Sequence, residues 1–106
     1  KDAGYHVEHF EEKDTEGYVF GRPEQVELDV IVRNGESIIV EIKSSSSKND
    51  IYIFKKKCEI WEKITGRKAT KLVFSTPYLD NRKEVERISK ELGIRLCTEL
   101  EELEEL

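Results

Sequence analysis

The 106-residue chain has no methionine, one glutamine, two prolines, two cysteines and one tryptophan. Each scarcity narrows what the protein can be. Lacking methionine, the sequence is expected to be a piece of a longer protein. Cys58 and Cys97 stand too isolated for a zinc motif and read as reduced core thiols. No apolar run is long enough to span a membrane, and no signal-peptide pattern is present, so a cytoplasmic protein is expected. A single glutamine beside 39% charged residues leans towards a thermophilic source. At this length the chain can bury one modest core. The net charge of −5 weighs against indiscriminate nucleic-acid binding. Its distribution matters more than its sum. Acid concentrates in residues 8–16 and from Glu99 onward, whereas Lys55, Lys56, Lys57, Lys63, Arg67 and Lys68 form a basic run. That run reads as a locally positive face, or equally as a solvated helix surface.

What is present centres on residues 27–45. Val26, Leu28, Val30 and Val32 alternate with Glu27, Asp29, Ile31 and Arg33. Beyond Asn34-Gly35, Ile38, Val40 and Ile42 alternate with Ile39, Glu41 and Lys43. Two β-branched runs around Asn-Gly read as a hairpin. Charges set among apolar strand residues are costly unless paired or bound to a metal. Opposed residues of an antiparallel pair share a face, so loop length decides whether Asp29 joins Glu41 and Lys43. A two-residue turn puts the acids on opposite faces, and an odd loop brings all three together. We expect the odd solution, a three-residue loop with Gly35 at positive φ closing a bulge.

Such a cluster suits metal-assisted phosphodiester hydrolysis. Asp29 and Glu41 are hard oxygen ligands for Mg²⁺ (or Mn²⁺), with the Ile42 carbonyl as a further ligand. The ion polarises a phosphoryl oxygen and lowers the pKa of a bound water. Lys43, two residues beyond Glu41, is placed to orient the attacking water or neutralise developing charge.

Asp29, eleven intervening residues, then Glu41-Ile42-Lys43 at the end of an apolar strand resembles the PD-(D/E)XK nuclease superfamily. The resemblance covers roughly residues 4–98. It implies a restriction-endonuclease-like α/β core, a mixed sheet with an antiparallel hairpin and parallel βαβ crossovers flanked by helices. It also implies a Mg²⁺-dependent nuclease acting on DNA as a homodimer, with Asp29, Glu41 and Lys43 as its catalytic set. Leu28 departs from the pattern, since proline is common before the aspartate. The superfamily's first core helix is absent from this chain and is expected upstream. The alternatives are an inactive binding or structural module on the same fold, and a plain ion-pair network of Glu27, Asp29, Glu41 and Lys43.

In chain order, residues 1–4 read as the end of a helix stopped by Gly4. A first strand begins at Tyr5, with His6 and His9 on opposite faces and so unable to share a metal. Residues 13–17 turn, Tyr18 to Phe20 run extended, and Gly21-Arg22-Pro23 turns again. Ser44 to Ser47 is expected to form a loop at the site plus a helix cap, with Ser44 and Ser45 as substrate contacts. A helix over residues 50–65 buries Ile51, Phe54, Cys58, Trp61 and Ile64 and stops at Gly66. In the superfamily a polar residue of this helix often reaches the site, and Lys55, Lys56 and Tyr52 are the candidates. A strand over 70–76 follows, then a helix capped by Asp80 or Asn81 that buries Val85, Ile88 and Leu92, then a strand over 94–97. Residues 1–98 therefore read as one nuclease-like domain. Residues 99–106 form an acidic tail whose leucines permit a short helix docking on a partner, or a frayed end.

Overall fold

Periodic apolar residues and glycine punctuation set the boundaries of the elements. The computed structural model describes residues 4–99. The order among them is β1 (Tyr5–Asp14), β2 (Glu24–Arg33), β3 (Glu36–Ile42), α1 (Lys48–Thr65), β4 (Lys71–Ser75), α2 (Arg82–Glu91) and β5 (Ile94–Cys97). The expected helix end at residues 1–3 and the helical tail from residue 100 lie outside the described residues.

The strands lie side by side in chain order. β1, β2 and β3 are antiparallel neighbours, and β3, β4 and β5 are parallel. This is the expected mixed α/β sheet. Two right-handed crossovers stepping the same way along a sheet put both helices on one face. There Leu28, Val30, Ile39 and Phe74 meet Ile51, Phe54, Cys58 and Trp61 of α1 and Val85 and Ile88 of α2. Ile38, Val73 and Cys97, with Ile31 and Val40, make a smaller cluster on the opposite face. Both cysteines are buried thiols, and burial pushes the Cys58 thiol well above its usual range. Among the described residues no helix is long and apolar enough to cross a membrane.

The hairpin departs from expectation. Arg33 pairs with Glu36 and Asp29 with Val40, so the loop has two residues rather than three. Asn34 and Gly35 both take positive φ, 53° and 79°, the type I′ geometry whose twist matches the flanking strands. Asparagine and glycine tolerate this conformation better than other residues, so no bulge is needed.

Residues 18–20 are also not extended. They fold into turns in which the Val19 N–H donates to a carboxylate oxygen of the buried Asp14 at 2.7 Å and the Gly21 N–H to the Gly17 carbonyl at 3.0 Å. β1 accordingly runs on to Asp14. Trp61 is core, as its spacing suggests, whereas Ile64 in the last turn of α1 is half exposed. Gly66 ends α1 with φ 71°. Asn81, also left-handed, precedes α2.

Candidate active site where the hairpin opens

β2 and β3 stay paired from the turn only as far as Asp29 and Val40. Both strands continue beyond that point. β2 runs on to Glu24 against β1, and β3 to Ile42 against β4. Strands that keep their outer partners while losing each other must part, helped by sheet twist. The fork holds a cleft of about 270 Å³ lined by Asp29, Glu41, Ile42 and Lys43 together with His9 and Glu27.

The expected shared face is thereby corrected. The two-residue turn leaves Asp29 on the face of Ile31 and Val40, and Glu41 on the helix-covered face with Ile39. The acids approach the fork from opposite sides. The opening of the strands, rather than strand parity, lets both line one cleft.

Each of the three residues already has a side-chain partner. Asp29, largely exposed, accepts a hydrogen bond from His9 Nδ1 at 2.9 Å. That bond raises the His9 pKa above its ordinary 6.5. Glu41 is held by Lys57 Nζ at 3.0 Å, with both side chains only 17% and 16% exposed. Lys43 donates to Asp50 at 3.1 Å. Burial pushes the Asp50 carboxyl up, but the Ser47 N–H and the Lys43 ammonium outweigh it and hold the group below its usual value.

His9, Lys57 and Asp50 are therefore partners of the candidate residues that sequence reasoning missed. Lys57 had a signal. It lies three residues after Phe54 and four before Trp61, on the border of the buried stripe, where Lys56 does not. His9 needed the β1–β2 register, which sets it opposite Asp29. Nε2 of His9 also lies 3.4 Å from Glu27 and 3.7 Å from Glu11, and His9, Glu11 and Glu27 offer ligand atoms within 4.8 Å of one another.

The other candidates fall elsewhere. Lys55 lines a separate hollow with Cys58, Lys68 and Leu92. Lys56 stands 5.5 Å over the Tyr18 ring, and Tyr52 does not line the fork. The basic run is thus divided among several neighbourhoods. Ser44 and Ser45 follow Lys43 directly, and Ser45 lines an adjoining hollow with Tyr78. A larger hollow of about 440 Å³, between the β1–β2 connection and the end of α1, contains none of the expected site residues.

Among the described residues, the group whose ligand atoms lie within 4.8 Å of one another is His9, Glu11 and Glu27 at the edge of this cleft, an imidazole and two carboxylates of the kind divalent ions accept. The family model for the PD-(D/E)XK nuclease superfamily matches residues 24–95, about two thirds of the chain. Among solved structures, EndoMS in its apo form is similar, with a TM-score of 0.60 and 17% identity, over 92% of this chain and 39% of the EndoMS chain. At that identity the likeness speaks for the fold alone, and this chain spans about two fifths of that protein's length. No curated protein matches the chain.

Proposed function

The chain belongs to the PD-(D/E)XK nuclease superfamily, and on that premise we propose that it is a Mg²⁺- or Mn²⁺-dependent nuclease hydrolysing phosphodiester bonds in DNA. One observation carries the reading: Asp29, Glu41 and Lys43 line the same cleft at the fork of β2 and β3. When bound there, a divalent ion would supply charge to polarise a phosphoryl oxygen and to acidify a water. Asp29 and Glu41, with the Ile42 carbonyl, would hold it. Lys43, 43% exposed and tied to Asp50 at the surface, can turn its ammonium towards the scissile phosphate and orient the nucleophile. His9 and Lys57 keep the two carboxylates aimed and neutralised until the ion arrives. A cytoplasmic homodimer, one copy per strand of a duplex, belongs to the same reading.

The test is cleavage of duplex, branched and single-stranded DNA and of RNA, with and without Mg²⁺ or Mn²⁺. Metal-dependent DNA cleavage that falls about a hundredfold or more in Lys43→Ala supports the proposal. Absence of cleavage on every form contradicts it.

A second reading has an observation of its own. Glu41 and Lys43 are ion-paired and Asp29 is hydrogen-bonded to His9 within the chain, as they would be in a fold-keeping module without turnover. That module would gain no thermal stability from Mn²⁺, whereas a metal site gains it by mass action.

A further inference from the structure

We propose that Tyr78 is a stacking platform for an unpaired base beside the fork, so that the preferred substrate carries an unpaired nucleotide rather than being plain duplex. The inference rests on the nuclease reading above and names its substrate class.

Tyr78 is 72% exposed, more than any other aromatic residue described. Its main chain, by contrast, is pinned. The Tyr78 carbonyl accepts the Ser46 N–H at 3.0 Å and the Thr76 hydroxyl at 3.2 Å. Thr76 is itself buried, with its N–H on the Cys97 carbonyl at 2.9 Å. On the other side, the Asp80 N–H returns to the Ser46 carbonyl at 2.9 Å, and Ser46 bridges to Leu79 as an isolated strand pair. Pro77 fixes one more dihedral just before the ring. An aromatic ring held out in water on a rigid main chain is ready to stack at small cost in conformational freedom.

Its place is equally specific. The Lys43 N–H donates to the Ser75 carbonyl at 2.9 Å, carrying the β3–β4 pairing one residue past the end of β3 to the last residue of β4. Three residues further, roughly 10 Å along an extended chain, Ser46 meets Tyr78. These loops leave the carboxyl ends of parallel strands, where open α/β sheets bind ligands. Between them lies a hollow of about 500 Å³ lined by Ser45, Ser46, Ser47, Asp50, Tyr78 and Asp80 among others. Asp50, in the lining of this hollow, is the carboxylate bonded to Lys43, in the lining of the candidate cleft, so one hydrogen bond links the two.

The lining chemistry selects the part of a nucleotide that fits. Among the described residues no lysine or arginine lines the hollow, and two aspartates do, so a phosphate is disfavoured there. An uncharged base with exocyclic amines, stacked on a tyrosine face, suits the same lining. Bases inside a duplex are already stacked on each other, so only an unpaired one can take the place.

The experiment uses the full chain with Lys43→Ala added to prevent cleavage, and fluorescence anisotropy with three labelled DNAs in Mg²⁺: a plain duplex, a single strand, and a duplex with one unpaired nucleotide. Tyr78→Ala should weaken binding of the two DNAs with unpaired bases roughly ten- to a hundredfold, leave the plain duplex unchanged, and be rescued by Tyr78→Phe. Comparison of the single strand with the interrupted duplex tells which source of unpaired base is preferred. Tyr78→Ala binding all three as its parent does, losing equally on all three, or failing to be rescued by phenylalanine overturns the inference while the nuclease reading stands. Wild-type protein that neither binds nor cuts any DNA with metal overturns that reading, and this inference with it.

Discussion

Glu41, with only 17% of its side chain in water, has given up hydration that Lys57 replaces at 3.0 Å. Removing one partner of such a pair strands the other, which costs more than the pair itself contributes. Lys57→Met should therefore lower stability by about 1–3 kcal/mol in urea unfolding, and Glu41→Gln added to it should restore most of the loss. If Lys57→Met unfolds at the wild-type midpoint, the pair is not the partner on which Glu41 depends. Asp29 is the contrasting case. It meets His9 in water, 62% and 49% exposed, so its pairing contributes little to stability. Residue by residue, one acid of the candidate site is structurally costly to disturb and the other is not.

At the scale of elements, local periodicity explains what was legible. The alternation of Val26, Leu28 and Val30, the stripe of Ile51, Phe54, Cys58 and Trp61, and the stops at Gly66 and Gly93 are written in neighbouring residues, and strand and helix follow from them. The register of the hairpin was written in Asn34-Gly35, the type I′ dipeptide, but the expectation that the acids share a face, which requires an odd loop, overrode it. Both acids line one cleft because β2 splits from β3 there. The partners His9, Lys57 and Asp50 depend on which elements become neighbours, which no local pattern states. The β1–β2 connection misled for a related reason: Tyr18 to Phe20 has strand-like residues, yet Asp14 captures the Val19 N–H and closes a turn. Gly17 is the fulcrum of that turn. It has φ 70°, and a Cβ there would stand 2.9 Å from the Arg22 nitrogen. Gly17→Ala should cost about 1–3 kcal/mol, measured by thermal or urea unfolding. A variant as stable as wild type would show that this connection bends freely.

Over the whole molecule, Arg67 ties regions that the sheet alone holds at a distance. It donates to Glu8 of β1 at 2.8 Å and to Ser37 of β3 at 3.1 Å, and lies 5.1 Å over the Trp61 ring of α1. Its hydrogen bond, seconded by that of His6, holds the Glu8 carboxyl below its ordinary 4.5. A depressed carboxyl contributes stability that is fully present above that ordinary value and disappears as pH falls through the folded-state value. Acid unfolding of Arg67→Ala should therefore be less steep below about pH 4.5 than that of wild type. Superimposable profiles would remove Glu8 from the account. Edge strand β1 is thus fastened to the core, and through β1 His9 is fastened beside Asp29. The central claim remains that acids entering the fork from opposite faces of the sheet hold one ion between them. Mn²⁺ titration of the full chain, followed by calorimetry, tests it directly. The account predicts a single binding event that disappears in Asp29→Asn and, separately, in Glu41→Gln. Wild-type protein that takes up no Mn²⁺, or an Asp29→Asn variant that binds it as wild type does, would contradict the account.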